Sequence, residues 1–278
     1  MKTNKKFKTI WFYIFNTLIS LIFIAPLIWM VASSFKEETK IFEHLNSYKA
    51  LLPLNFTLDN YKMVFQRIPM TKYIFNSVFY VSLISFFGAI VNSICGYGLA
   101  KLKFKGSSFI LIIIIALTIV PFESIMLPLY LIVNKMKLIN SMYALIIPFI
   151  GNCFSIYMFR QFFLDFPDAL LEAAYIDGAD KFTTFLKVVV PNSIPVFTTV
   201  FILDFVSHWG DFLWPILVTT NDNIKNVQLG IQSFFTMAPV YYGQIMAALV
   251  VTTLPMILIF LFFQKYYIKG IASTGLKG

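Results

Sequence analysis

The amino-acid sequence predicts an all-α integral membrane protein with six transmembrane helices. Of its 278 residues, 59% are hydrophobic and 13% are charged, a composition that is not typical of a soluble globular protein. Apolar runs of about 20 residues, long enough to cross a bilayer as helices, recur along the chain. We expect residues 1–278 to form one transmembrane domain. The predicted spans lie near residues 10–32, 74–100, 108–131, 141–159, 194–219 and 245–264.

The net charge of +9 does not indicate a nucleic-acid partner, because Lys and Arg are spread over the ends of the apolar spans. Cations at those positions favour contact with an anionic lipid bilayer. Lys clusters before the first span and in the sequence KLKFKG after the second. With six spans, this distribution predicts that both termini and the segment 165–193 are cytoplasmic. The first apolar run is too long for a signal peptide, so we expect an uncleaved helix.

The second span carries small and polar residues on one helical face: Ser85, Gly88, Asn92 and Gly96. Their spacings of three and four residues place them on the same side of a helix. Small residues let a second helix approach closely, because packing drives helix association in lipid. We therefore expect this face to contact another helix. A role of Asn92 in binding a solute is the alternative.

The third span contains both a backbone break and an ionisable group, Pro121 and Glu123. Proline removes a hydrogen-bond donor and loosens the turn before it. A carboxylate at this depth is costly and usually faces a cavity or a partner. Glu123 is therefore either a contact in a solute pathway or a structural polar anchor near the outer end of the span.

The fifth span is unusually rich in ionisable groups. Asp204, His208 and Asp211 stand at positions i, i+4 and i+7, which predicts one shared helical face. Three such groups are not expected to face lipid. They either line an aqueous pathway, which we favour, or satisfy one another or a neighbouring subunit. Trp209 and Trp214 lie beside them in the sequence.

The polar segment 165–193 predicts a short helix, a turn and a second helix. Asp168 is expected to cap the first helix, Gly178 to form the turn, and residues 179–190 to form the second helix. Leu171, Ala174 and Tyr175 recur at helical spacing and predict an apolar face that lies in a groove of another protein. A connector lying on lipid headgroups is the alternative, but such a helix favours Lys and Arg over the acidic residues found here.

The same segment contains a fixed series of residues: Glu172, Ala173, Ala174, Gly178 and Pro191. Their order and spacing resemble the EAA loop of permease subunits of binding-protein-dependent ABC importers. Val188 and Val190 stand where that family has Ile and Leu. Five other stretches are similar to the carbohydrate branch of the family: PLNFTLDNY, GYGLAKLKFKG, VPFESIMLPLY, WGDFLWP and FQKYYIKGI. In the fourth, Gly210 stands where Asn is usual, and the Tyr and Lys of the last suit a membrane interface.

The resemblance implies a permease subunit that forms half of the pathway for a sugar or oligosaccharide across a bacterial cell membrane. It makes the first helix of segment 165–193 a cytoplasmic coupling helix between the fourth and fifth spans, docked into an ATPase with Glu172 as the motif acid. The implied coupling residues are Glu172, Ala173, Ala174, Asp177, Gly178 and Pro191. The implied partners are a second homologous permease, two ATPase subunits, an external solute-binding protein and the bilayer.

Candidate contacts for the solute are Glu123, Asp204, His208, Trp209, Asp211 and Trp214, since carboxylates accept from sugar hydroxyls and aromatic rings stack on sugar faces. No metal site or cofactor is expected in this chain; ATP and magnesium are expected in the partner ATPases. The sequence contains no GxxxxGK[ST], HExxH or GxSxG motif, so we expect no enzyme activity. The alternatives are an ion-coupled secondary transporter, a non-transporting scaffold, and an importer of a polyol or glycerol phosphate.

Overall fold

The computed structural model describes the backbone of residues 2–275 and the side chains of residues 8–264. Within this part, all regular structure is helical. The Tyr and Lys residues predicted to anchor the C-terminal end of the last span, from Lys265 onward, have side chains outside the described residues. The described residues form two compact units: residues 2–72 with 230–254, and residues 73–229 with 255–275.

The α-helices in chain order are α1 (Lys2–Ser34), α2 (Glu38–Glu43), α3 (Asp59–Arg67), α4 (Met70–Lys101), α5 (Ser107–Ile119), α6 (Phe122–Lys135), α7 (Met142–Ile146), α8 (Cys153–Leu164), α9 (Asp168–Ile176), α10 (Lys181–Thr184), α11 (Val190–Asn192), α12 (Ile194–Trp209), α13 (Leu213–Val218), α14 (Val227–Thr236) and α15 (Tyr242–Gly275). Short 3₁₀ turns at Tyr48–Leu51 and Ile147–Phe149 and a π-helical turn at Phe185–Val189 complete the regular structure described.

Six apolar stretches of this structure have the length of a membrane span, but only three of them are single helices. Among the described residues, the single helices are Lys8–Ser34, Met70–Lys101 and Tyr242–Gln264. The others are helix pairs bent at a short break, by 104° between α5 and α6, by 41° between Met142–Phe149 and α8, and by 79° between Lys181–Asn192 and α12. The first, second and sixth predicted spans are therefore single helices, and the third and fourth are the first two bent pairs. The third bend lies before the predicted fifth span, which is itself divided into α12 and α13.

Two of the interruptions lie at residues that disfavour a continuous helix, Pro121 and Gly210. Pro121 is extended, with φ −66° and ψ 138°, between α5 and α6, so the predicted break is confirmed and a straight span over 108–131 is wrong. A single helix over 194–219 is also wrong, because α12 ends at Trp209 and the chain is non-helical until α13 begins. Gly210 occupies the start of that break, where its low helix propensity favours an end.

In the first unit, charged residues of α2 and α3 hold the N-terminal end of α15. The Glu38 carboxylate accepts hydrogen bonds from the backbone N–H groups of Tyr242 and Gly243, both at 2.8 Å. A negative charge is favourable at this end of a helix. Arg67 donates to Gln244 Oε1 at 2.7 Å. These contacts give the last span a fixed start within this unit.

In the second unit, α4 and α8 approach closely at Gly96. A Cβ added at Gly96 would lie 2.7 Å from Phe159 Cβ and 2.9 Å from Arg160 N, distances too short for real contacts. Only a residue without a side chain allows these two backbones to meet, as the small-residue face of the second span predicts. The predicted packing of this face against another helix is confirmed.

Asn92 lies on the same face of α4 and is fully buried. Its amide donates to the backbone oxygen of Ile150 at 3.2 Å and its Oδ1 accepts from the backbone N–H of Asn152 at 3.0 Å. These groups lie at the break between Met142–Phe149 and α8, where the helical hydrogen-bond pattern is lost. Asn92 therefore satisfies a broken backbone, which supports its structural role over a role in solute binding.

Replacing Gly96 with Ala is expected to push α4 and α8 apart, because the added methyl meets backbone atoms that cannot rotate away. We expect a loss of about 1–3 kcal/mol of stability, as for other overpacked interiors, measured by thermal unfolding of the purified protein in detergent. Gly98→Ala is the matched control, since nothing lies within 4 Å of its added Cβ. Equal unfolding temperatures for the two variants would contradict this account of the packing.

Candidate functional site

The segment between the fourth and fifth spans forms a knob, defined here as residues 168–192, in which two helices are joined by a tight turn. Its first helix is α9, and its turn contains Gly178 with φ of 82°. This left-handed conformation is unstrained only for a residue without a Cβ. The predicted turn at Gly178 is therefore confirmed.

The second helix of the knob begins at Lys181, not at the predicted Ala179. Asp180 caps it by accepting from the backbone N–H of Thr183 at 2.7 Å, and hydrogen bonds from Thr183 lower the pKa of the Asp180 carboxyl. An Asp at this position satisfies one of the free N–H groups of a first turn. The cap explains the later start, because Asp180 must itself stay outside the helix.

The second helix continues through the π-helical turn Phe185–Val189 and ends at Asn192. Pro191 lies exposed near its end, and the chain then bends by 79° into α12. π-helical turns inside α-helices occur frequently at functional sites. The knob is thus joined to the fifth span through an irregular, sharply bent connection.

One side of the knob is buried within the chain itself. Leu171 and Ala174 are 5% and 8% exposed, and Leu171 belongs to an apolar cluster that includes Phe163 and Phe185. The predicted groove-binding face of Leu171, Ala174 and Tyr175 is therefore wrong: its two most apolar positions pack on this chain, while Tyr175 is 41% exposed. Helical periodicity identifies an apolar face but does not specify which surface covers it.

The predicted helix cap by Asp168 is also wrong. The cap position of α9 is Pro167, and no side chain caps this helix. Asp168 Oδ1 instead accepts from Lys101 Nζ at 2.6 Å, and the same Nζ donates to the backbone oxygen of Phe166 at 2.7 Å. Because Lys101 ends α4, these bonds connect the end of the second span to the start of the knob.

The opposite side of the knob is exposed and acidic. Glu172, Ala173 and Asp177 are exposed, and Ile176 between the two acids is 85% exposed. Within the described side chains, no Lys or Arg forms an ion pair with Glu172 or Asp177. This surface therefore presents two unpaired carboxylates beside an apolar side chain, which suits a basic protein cleft better than anionic lipid.

Only two of the three ionisable residues of the fifth span, Asp204 and His208, lie on one helix. Asp204 is 6% exposed and accepts from Ser155 Oγ at 3.1 Å. Asp211 lies beyond the end of α12 at Trp209, with its Oδ2 4.0 Å from His208 Nδ1. The predicted i, i+4, i+7 stripe is wrong, because the helix ends before its last member. Asp204 and His208 stay one turn apart on α12, and only Asp211 leaves the stripe.

Both tryptophans of this region are buried. Trp214 is fully buried and donates to the backbone oxygen of Ala144 at 2.9 Å. Trp209 is 5% exposed and stacks on Phe205 with ring centroids 5.7 Å apart. The structure thus gives both rings a packing role, contrary to the predicted stacking on a sugar.

Glu123 lies in the first turn of α6 and is exposed. This helix follows the 104° break after α5, and a carboxylate is favourable at a helix N-terminus. Its location at the bend agrees with either a solute contact or a polar anchor, and both stay predictions.

Three polar residues that hold the candidate residues in place were not predicted: Lys101, Ser155 and Asn226. The Asn226 amide donates to the backbone oxygen of Asp211 at 2.9 Å. The sequence does offer a signal for the position of Ser155. Asn152 is a favourable residue for capping a helix, and its side chain accepts from the backbone N–H of Ser155, three residues later. The contacts of Lys101 and Asn226 depend on the tertiary fold, which no local pattern indicates.

Comparison with known proteins agrees with this geometry. The arabinooligosaccharides transport system permease protein AraQ of Halalkalibacterium halodurans is 31% identical over 262 residues, 94% of this chain and 93% of the relative. The trehalose/maltose transport system permease protein MalG of Thermococcus litoralis is 30% identical over 267 residues, 94% of each chain.

A chain from the crystal structure of a bacterial ABC transporter involved in the import of the acidic polysaccharide alginate has the same fold. It aligns with a TM-score of 0.84 and 20% identity over 95% of this chain and 98% of that chain. Residues 86–273 match the family described as binding-protein-dependent transport system inner membrane component. Since this match covers well over half of the sequence, the chain belongs to the family of inner-membrane components of binding-protein-dependent transport systems.

Proposed function

We propose that this permease carries a sugar or oligosaccharide inward across a bacterial inner membrane, driven by ATP hydrolysis in partner subunits. The observation that carries the proposal is the knob, whose acidic side is exposed while its apolar side is fixed in the chain's own core. The solutes named for two relatives, arabinooligosaccharides and trehalose or maltose, support a carbohydrate cargo. Membership of this family argues against two of the alternatives, an ion-coupled secondary transporter and a non-transporting scaffold.

In the proposed topology, the three single helices, the bent pair of α5 and α6, the bent pair of Met142–Phe149 and α8, and the fifth span that begins with α12 form six spans. Residues 1–278 form one transmembrane domain. Both termini and the knob lie in the cytoplasm, because Lys residues cluster before the first span and after the second. This orientation brings the acidic side of the knob to the compartment that contains ATP.

In the proposed mechanism, α9 is the coupling helix and docks into a cleft of an ATPase subunit. Glu172 and Asp177 pair with basic groups of the cleft, and the small Ala173 lets the two backbones approach. Because Leu171 is packed in the core of the second unit, a movement of the cleft moves the attached spans as a rigid body. The turn at Gly178 sets the direction of the second helix of the knob relative to α9.

The proposed assembly contains this chain, a second homologous permease, two ATPase subunits and an external solute-binding protein. ATP and magnesium bind the ATPases, and this chain contributes no catalytic group. For the solute pathway, the His208–Asp211 pair is the favoured contact, because both side chains keep partial exposure, 12% and 21%. Asp211 is expected to accept a hydrogen bond from a sugar hydroxyl.

Purification of the tagged chain from membranes tests the assembly and the cargo together. We expect an ATPase and a second permease to copurify, and proteoliposomes of this complex to take up labelled oligosaccharide only with internal ATP and external binding protein. Uptake driven by an ion gradient without ATP would contradict the mechanism. Uptake of a polyol or glycerol phosphate in place of sugars would contradict the cargo alone.

A further inference from the structure

An open depression of about 470 Å³ lies where α4 ends and α5 begins. Its lining combines apolar side chains, among them Leu102 and Phe104, with three polar residues, Lys103, Lys105 and Ser107. Phe104 is 43% exposed, so an apolar surface lies open beside two cations. Such a surface fits a ligand that has both an anionic and an apolar part.

Among the side chains that the structure describes, none forms an ion pair with the two lysines of the depression. Lys103 and Lys105 are both exposed. The nearby Lys101, by contrast, is bound to Asp168. The first turn of α5 contains no acidic residue, so no carboxylate offsets the positive end of that helix.

We propose that the depression binds the headgroup of an anionic phospholipid. The phosphate contacts the two lysine ammonium groups and the Ser107 hydroxyl, and the glycerol and first acyl carbons cover Leu102 and Phe104. Basic clusters at the membrane edge of a span attract anionic lipids. Free inorganic phosphate has the same anionic chemistry, but it would leave the apolar lining exposed to water. A lipid also covers this lining, so we favour the lipid as the ligand.

The site has a structural consequence for the knob. Lys101 connects the end of α4 to the start of α9, and Lys103 follows it by two residues. A lipid bound at Lys103 therefore fixes the membrane depth of the helix to which the knob is attached. The inference rests on the proposed function only in assigning the site to the cytoplasmic leaflet.

The test is a Lys103→Gln/Lys105→Gln double substitution in the full chain, purified with its copurifying subunits. Titration with phosphatidylglycerol or phosphatidylcholine, followed by native mass spectrometry, measures lipid binding without transport. We expect phosphatidylglycerol binding to weaken about 25-fold, a factor of five for each lysine. Binding of phosphatidylcholine is expected to stay unchanged.

Lys135→Gln/Lys137→Gln is the matched control. It removes two exposed lysines with the same spacing at the end of α6, away from the depression, and is expected to bind phosphatidylglycerol like the wild type. Lys103→Arg/Lys105→Arg keeps the charge and should keep binding, which separates loss of the site from loss of the fold.

Three results would overturn the proposal. They are equal phosphatidylglycerol affinities of the two Gln variants, displacement of the lipid by inorganic phosphate, and loss of the ATPase subunits from the Lys103→Gln/Lys105→Gln complex, which would make the depression a protein contact. A complex that binds phosphatidylglycerol as expected but imports no sugar would instead contradict the proposed function alone.

Discussion

Replacing Glu172 with Ala is expected to abolish solute uptake while leaving the amount of permease in the membrane unchanged. Glu172 is exposed and forms no ion pair with the described part of the chain, so the fold does not depend on its carboxylate. Docked in a basic cleft, the same carboxylate stabilises the complex with the ATPase, and truncating one side of such a pair costs about 2–5 kcal/mol. Labelled-sugar uptake and the ATPase copurified per permease are the measurements.

Two variants show whether the effect belongs to this carboxylate. Glu172→Gln keeps the size of the side chain and removes its charge, so we expect it to resemble Glu172→Ala. Glu37→Ala removes another exposed acid, in the loop after α1, and is expected to transport normally. Normal uptake by a well-expressed Glu172→Ala variant would contradict a coupling role of this residue.

Features that depend on one residue's own backbone preference were predictable from the sequence. The break at Pro121 follows because proline lacks an N–H, and the turn at Gly178 follows because only glycine adopts φ of 82° without strain. The close approach at Gly96 was predictable as well, since small residues at helical spacing have few other uses in a membrane helix.

Features that depend on which groups meet in space were not predictable. Asp168 was expected to cap its own helix, but Lys101, distant in sequence, offers an ion pair and a backbone contact instead. Asp211 was placed on the face of Asp204 by continuing a helical period through Gly210, where the helix has ended. Local patterns identify the kinds of groups present, whereas the tertiary structure selects their partners.

The same distinction applies to the knob. Its sequence predicts both an apolar face and acidic residues, but it does not indicate that the apolar face packs on the chain itself. The apolar face packs inward on Phe163 and Phe185, so contact with a partner is left to the acidic side. The orientation of Glu172 and Asp177 therefore depends on how the knob is held, which makes its turn a sensitive position.

Replacing Gly178 with Val is expected to reduce uptake by about tenfold or more. A residue with a Cβ pays about 1–2 kcal/mol in the left-handed region, and a β-branched side chain is a true outlier there. The turn is expected to shift to negative φ and to rotate α9 away from the direction in which its acids meet the ATPase. Labelled-sugar uptake and copurification of the ATPase measure the effect.

Gly178→Asn is the matched variant, because Asn tolerates the left-handed conformation far better than Val does. Nothing lies within 4 Å of a Cβ added at Gly178, so the Cβ of either variant fits without a clash and their main difference is the backbone conformation each tolerates. We expect Gly178→Asn to keep most of the uptake that Gly178→Val loses. Equal uptake by the two variants would mean that the angle of this turn does not control coupling, since the added Cβ has open space around it in both.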